Sequence, residues 1–116
     1  MKFTESIKKN SDFQTVFKNG NSRANKHFVM YIRKNGLSVN RIGISVSKKV
    51  GNSVVRHRIK RLVKESYRLQ EEMFNSGLDI VVIARKGAEL LDYSNTASSL
   101  LYLFKLHKVL VHNINN

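Results

Sequence analysis

The chain has 116 residues, 41% of them apolar and 25% charged, the size and balance of one globular domain, so a single domain over 1–116 is expected. Its 21 Lys and Arg against 8 Asp and Glu give a net charge of +13, which fits a polyanionic partner: nucleic acid or an anionic membrane surface. The absence of cysteine excludes disulfides and thiolate metal sites, and no apolar run reaches signal-peptide or membrane-spanning length, so a soluble cytoplasmic protein is expected.

In chain order, Ser11-Asp-Phe-Gln14 has capping-box spacing, with Phe13, Val16 and Phe17 on one helical face and Gly20 as a stop. This predicts a short helix over 11–18. Residues 21–26 are polar and read as a connection with a few extended residues. Residues 27–34 (HFVMYIRK) are rich in β-formers and predict a strand. After the Asn35-Gly36 turn signal, 41–47 (RIGISVS) alternates into a second strand with one small, polar face. Asn52 or Ser53 is placed to cap a long helix running to about Phe74. Residues 79–85 (DIVVIAR) read as a central strand covered on both faces. A last helix, capped by Ser94 or Asn95 and carrying Ala97, Leu100, Leu101 and Phe104, is expected to continue to about Val111. The order predicts an α/β (α+β) two-layer sandwich: a small mixed sheet of three to four strands with about three helices.

The charge is concentrated. Residues 41–68 carry nine bases and one acid, and 69–116 carry four bases and five acids. On a helical wheel, Val55, Ile59, Leu62, Val63, Leu69 and Met73 form an apolar stripe that includes Ser66. Arg56, His57, Lys60, Arg61, Lys64 and Arg68 form the opposite face, with Arg58 at its margin. Lys48, Lys49 and Asn52 precede this face in the loop. Cations aligned in one field repel one another, which makes physical sense when a polyanion neutralises them.

The enzymatic signals are weak. There is no Gly-rich phosphate loop, nucleophile elbow or cysteine nucleophile. His107 and His112 share no helical face, and the eight carboxylates are not clustered as a metal-dependent nuclease needs. Glu71 and Glu72 are placed to pair with Arg68 or Lys64. Phe13, Phe17 and Tyr31 have two readings: core aromatics, or a platform on which unpaired bases stack beside the neighbouring cations.

The run Ser45-Val-Ser-Lys-Lys-Val-Gly-Asn52, followed by Val55-Arg-His-Arg-Ile-Lys-Arg61, closely resembles the signature of the bacterial ribonuclease P protein subunit. The likeness extends to Asp12-Phe-Gln…Val16-Phe-Lys…Gly20, Ala24-Asn-Lys…Phe28-Val-Met-Tyr31 and residues 79–85, covering most of 8–87. It implies an RNA enzyme in which a catalytic RNA, with Mg²⁺, removes the 5′ leader of precursor tRNA. The protein then assists without catalytic groups of its own. A left-handed strand–helix–strand crossover is implied as well, where generic rules favour the right-handed form. Carried over by position, Arg56, His57, Arg58, Lys60, Arg61, Lys64 and Arg68, with Lys48, Lys49 and Asn52, contact the catalytic RNA. Phe13, Phe17 and Tyr31 line the cleft for the leader. His57 stands where the family usually has Asn; an amide donates and accepts at any pH, whereas an imidazole has two donors only when protonated. The expected partners are the catalytic RNA and precursor tRNA, with no DNA and no membrane. A ribosomal-type structural RNA-binding protein is the alternative.

Overall fold

The computed structural model describes residues 4–110. The strands are β1 (Thr4–Ser6), β2 (Asn21–Ala24), β3 (Phe28–Lys34), β4 (Asn40–Ser45) and β5 (Leu78–Ala84). The helices are α1 (Asn10–Asn19), α2 (Ser53–Gln70) and α3 (Tyr93–Leu106), with short 3₁₀ turns at Glu71–Met73 and Ala88–Leu90. The strands form one mixed sheet in the order β1-β4-β5-β3-β2. β4 runs parallel to β1 and β5, while β3 runs antiparallel to β5 and β2.

The unbroken apolar run of β5 is explained by its place at the centre, where both faces are covered. Leu78, Ile80, Val82 and Ala84 point to one side and meet α2 and α3; Val81 and Ile83 point to the other and meet α1. The larger core joins Met30, Ile80 and Val82 to Ile59, Val63 and Tyr67 of α2 and Leu100, Leu103 and Phe104 of α3. Phe74 stacks between Tyr67 and Phe104, with ring centroids 5.3 and 4.1 Å away. The smaller core holds Ile7, Val16 and Val81, edged by Phe13, Phe17 and Tyr31. Burying each of these large side chains contributes about 1.5–3 kcal/mol.

The fold class is the expected mixed α+β sandwich with three helices, and the parallel β4–α2–β5 unit is its crossover. The strand count is five, not three to four. β2 is a paired strand within 21–26, which the sequence read only as a connection with a few extended residues; β1 is three residues long and pairs with a strand 36 positions away, so neither turn nor periodicity announces it.

Several local expectations are corrected. Ser11 is not the cap of α1: Lys9 occupies that position without a side-chain hydrogen bond. Gly20 does end α1, in extended backbone; a Cβ there would lie 2.6 Å from the Val16 carbonyl oxygen. α3 is capped by Asp92, which accepts from the Asn95 amide at 2.8 Å, so neither Ser94 nor Asn95 is the cap. It ends at Leu106, where Lys108 (φ 58°) turns the chain to pair Leu110 with Phe74. Val111, the expected helix end, and His112 lie outside the described residues. α2 ends at Gln70, short of the expected Phe74, and passes into the 3₁₀ turn; Tyr67 is buried, whereas Leu69 on α2 and Met73 in that turn, both of the expected apolar stripe, are exposed.

Candidate nucleic-acid interface

α2 begins where the sequence places it. Asn52 accepts from the Val55 amide at 3.0 Å, satisfying one of the free donors of the first turn. Buried Val50 anchors the preceding turn and leaves Lys48 and Lys49 exposed. Along the helix, Ile59, Val63, Ser66 and Tyr67 face the core, so the charged positions are turned outward. His57, Lys60, Arg61, Lys64 and Arg68 are exposed; Arg56 and Arg58 are half-buried.

These cations do not share one environment. Arg68 donates to Glu65, one turn away, and that hydrogen bond holds the Glu65 carboxyl below its usual range. Glu71, which the sequence reading placed beside Arg68 or Lys64, is buried and accepts from the Thr4 hydroxyl. Arg58 leans away toward the Glu89 carbonyl at 3.5 Å, in keeping with its marginal place on the wheel. Among the described residues, Lys48, Lys49, Arg56, Arg58, Lys60, Arg61 and Lys64 have no carboxylate within ion-pair distance. Their field is uncompensated, as a phosphate-binding face requires.

The aromatic residues stand across a groove from this face. β1 covers β4 only from Asn40 to Ile42, and the Ile7 amide makes the last hydrogen bond, to the Ile42 carbonyl at 2.8 Å. Beyond it, the edge of β4 opens into a hollow of about 370 Å³ lined by Phe13, Phe17, Ile44, Val46 and Lys60. An adjoining hollow of about 230 Å³ is bounded by Lys8, Gly43, Ile44, Lys60 and Lys64. The two share Ile44 and Lys60 and form one groove between α1 and α2, with rings on one wall and lysines on the other.

Phe13 sits directly on Gly43: a Cβ there would lie 2.6 Å from its ring. Phe17 meets Tyr31 edge-on at 5.1 Å and Phe13 at 6.3 Å. Tyr31 is not among the residues lining either hollow; it supports Phe17 from the sheet. All three rings are half-buried, which reconciles the two sequence readings: one side of each belongs to the small core while part stays accessible.

Behind the groove, Arg41 ties α1 to the sheet, a contact the sequence reading missed. Its guanidinium donates to both oxygens of Asp79, at 2.7 and 2.6 Å, and lies 3.7 Å from Asp12 of α1. Burial alone would raise the Asp79 carboxyl. Hydrogen bonds from Arg41 and Asn35, with the charges of Arg41 and Arg33, outweigh it and hold Asp79 below the usual range. Arg41 is correspondingly raised, chiefly by its hydrogen bond to Asp79.

No group of three or more metal-ligating side chains occurs among the described residues. Several carboxylates are already engaged: Asp12 and Asp79 by Arg41, Glu65 by Arg68, and Asp92 as a helix cap. No described helix is long and apolar enough to cross a membrane.

The model of the family described as Ribonuclease P matches residues 1–108. A relative from Lachnoclostridium phytofermentans, named ribonuclease P protein component, is 60% identical over 107 residues, 92% of each chain. A protein of the same name from Alkaliphilus metalliredigens is 49% identical, covering 95% of this chain and 99% of its own. Among solved structures, the Staphylococcus aureus RNase P protein superposes with a TM-score of 0.84 at 42% identity, over 90% of this chain and 95% of that one. The Thermotoga maritima RNase P protein gives 0.81 at 37% identity, over 88% and 96%. The chain belongs to the ribonuclease P protein family.

Proposed function

We propose that this chain is the subunit of ribonuclease P that docks on the catalytic RNA through α2 and guides the single-stranded 5′ leader of precursor tRNA through the groove beside β4. Its place as a component of this tRNA-processing endoribonuclease follows from family membership. The observation that carries the finer reading is that uncompensated cations and accessible aromatic rings flank one groove, with Lys60 common to both of its hollows.

Each part has a physical role. Arg56, Arg58 and Arg61 suit bidentate contact with phosphate oxygens, while Lys48, Lys49, Lys60 and Lys64 act as point charges. Asn52 spends its side-chain oxygen on the helix cap and keeps its amide N–H₂ for RNA. Arg68, paired with Glu65, is the weakest member of the set. In the groove, Phe13 and Phe17 offer ring faces to unpaired bases, Tyr31 holds Phe17 in place, and Lys8, Lys60 and Lys64 attract the leader phosphates. Mg²⁺ held by the RNA supplies the hydrolytic chemistry, and the protein works in the cytoplasm beside its RNA partners. The protein lowers the repulsion between catalytic RNA and substrate and fixes the leader's path.

Neutralising five or six phosphates gives a fall of log K with log salt of slope about −4 to −5 for the protein on catalytic RNA. A slope near zero refutes the docking face. For the groove, Phe17→Ala in the reconstituted enzyme weakens binding of precursor tRNA and leaves leaderless tRNA unaffected. Equal losses on both substrates reject the leader path.

A further inference from the structure

A second group of cations lies at the end of the sheet where β4 and β5 run out, and the basic helix does not include it. Lys86 Nζ lies 3.5 Å from the carbonyl of Val50, in the turn that carries Lys48 and Lys49. Gly87 lies beside His27, whose ring a Cβ at this position would approach to 3.8 Å. The Arg85 amide donates to the His27 carbonyl at 2.8 Å, and its guanidinium donates to the Asn25 carbonyl at 2.9 Å. Asn25 in turn accepts from the amides of His27 and Phe28, fixing the β2–β3 turn with Lys26 exposed at its tip. Arg58 closes the other side through the Glu89 carbonyl. The surface thus runs through direct contacts from α2, across Lys86 and Arg85, to Lys26.

The acids near this surface are committed internally. Glu89 accepts from the Gly87 amide at 2.6 Å and pairs with Lys86 at 3.4 Å, and Asp92 caps α3. Lys26, Lys48, Lys49 and Arg85 have no carboxylate partner among the described residues. The strip presents the Arg85 guanidinium and the Lys86 ammonium, held in place against backbone carbonyls, which suits a phosphate backbone more than splayed bases.

We propose that the catalytic RNA continues past α2 over this strand-end surface, its phosphates contacted by Lys26, Arg85 and Lys86. The proposal rests on the reading that α2 docks on that RNA. Continuity with the turn of Lys48 and Lys49 selects the catalytic RNA over the substrate, because the leader groove lies along the open edge of β4.

The test compares three variants of the full chain for binding to catalytic RNA across a salt series. One is Lys26→Gln/Arg85→Gln/Lys86→Gln. The second removes equal charge elsewhere, Lys34→Gln/Lys105→Gln/Lys108→Gln. The third is Arg61→Gln/Lys64→Gln on α2. The strand-end triple is expected to make the salt slope shallower by about 2, at roughly 0.7–0.9 per phosphate contact, while the charge-matched control keeps the wild-type slope. A strand-end triple indistinguishable from that control overturns the proposal. If the α2 variant alone loses affinity, the docking reading stands without the extension; if neither loses any, the docking reading itself fails. Intact binding to catalytic RNA with equal weakening on precursor and mature tRNA in the holoenzyme assigns the surface to the tRNA body and also overturns the proposal. Thermal midpoints separate loss of fold from loss of contact. Lys26→Gln alone, at an exposed turn tip, repeats the comparison should the Arg85 change unfold the protein.

Discussion

Asp79 is the residue around which the fold gathers most charge. Its side chain is fully buried, and it accepts from Arg41 and Asn35 with Arg33 3.7 Å away. Removing one partner of such a pair leaves the other charge without compensation, so Asp79→Asn is expected to cost about 3 kcal/mol at neutral pH. The sign of the pH dependence follows from the depressed carboxyl. The stabilisation is fully present above the unfolded value of about 3.9 and is lost as pH falls through it toward the folded value. Denaturant midpoints at pH 7, 5 and 3.5 check this: the gap between wild type and variant is constant from pH 7 to 5 and begins to close at pH 3.5. Parallel lines for the two proteins would show that the ion pair does not set the acid response. In the sequence, Asp79 reads as the polar start of a strand. Its three partners come from β3, the following turn and β4, which only sheet register brings together.

At the scale of elements, the groove depends on how closely α1 approaches β4. Gly43 permits that approach, because a Cβ would lie 2.6 and 2.7 Å from Phe13 ring atoms and 3.1 Å from Ile7. Gly43→Ala must lift the ring and tilt α1, at an overpacking cost of about 1–3 kcal/mol. The same displacement moves the aromatic wall of the groove. The variant is therefore expected to lose leader-dependent affinity, as is expected of Phe17→Ala, measured as the ratio of holoenzyme affinities for precursors with and without a leader. A stable variant with an unchanged ratio would separate the ring's seat from leader binding.

The elements legible in the sequence are those specified by local pattern. α2 has a side-chain cap, a 3.6-residue period and a cationic face that needs no tertiary information; β5 has an uninterrupted apolar run. The illegible parts depend on distant residues. The far end of α2 buries Tyr67 in place of Leu69 because Phe74 and Phe104 stack there. The candidate site divides in the same way. Its cations can be read off a wheel, whereas the groove exists because β1 stops short along β4, and the strand-end cations meet only through the pairing of β2, β3 and β5.

The whole molecule combines a modest core with a field it cannot neutralise itself. The whole of the +13 charge arises in residues 1–68, since 69–116 carry one more acid than bases, and the cationic face of α2 has few internal partners among the described residues. Mutual repulsion along that face opposes the compact state, and an anion that binds it relieves the repulsion only in the folded protein, where the cations are held together. By linkage, such an anion stabilises by RT ln(1 + [L]/Kd), about 2.7 kcal/mol at a hundredfold excess over Kd. Thermal midpoints are therefore expected to be higher in a few millimolar sulfate or phosphate than in chloride at matched ionic strength. These concentrations are too low for general exclusion of salt from the protein surface to contribute much. The increment should shrink in Arg61→Gln/Lys64→Gln, which removes two exposed cations without touching the core. Identical midpoints in the two salts, or an undiminished increment in that variant, would mean that the helix face is not where anions act on stability.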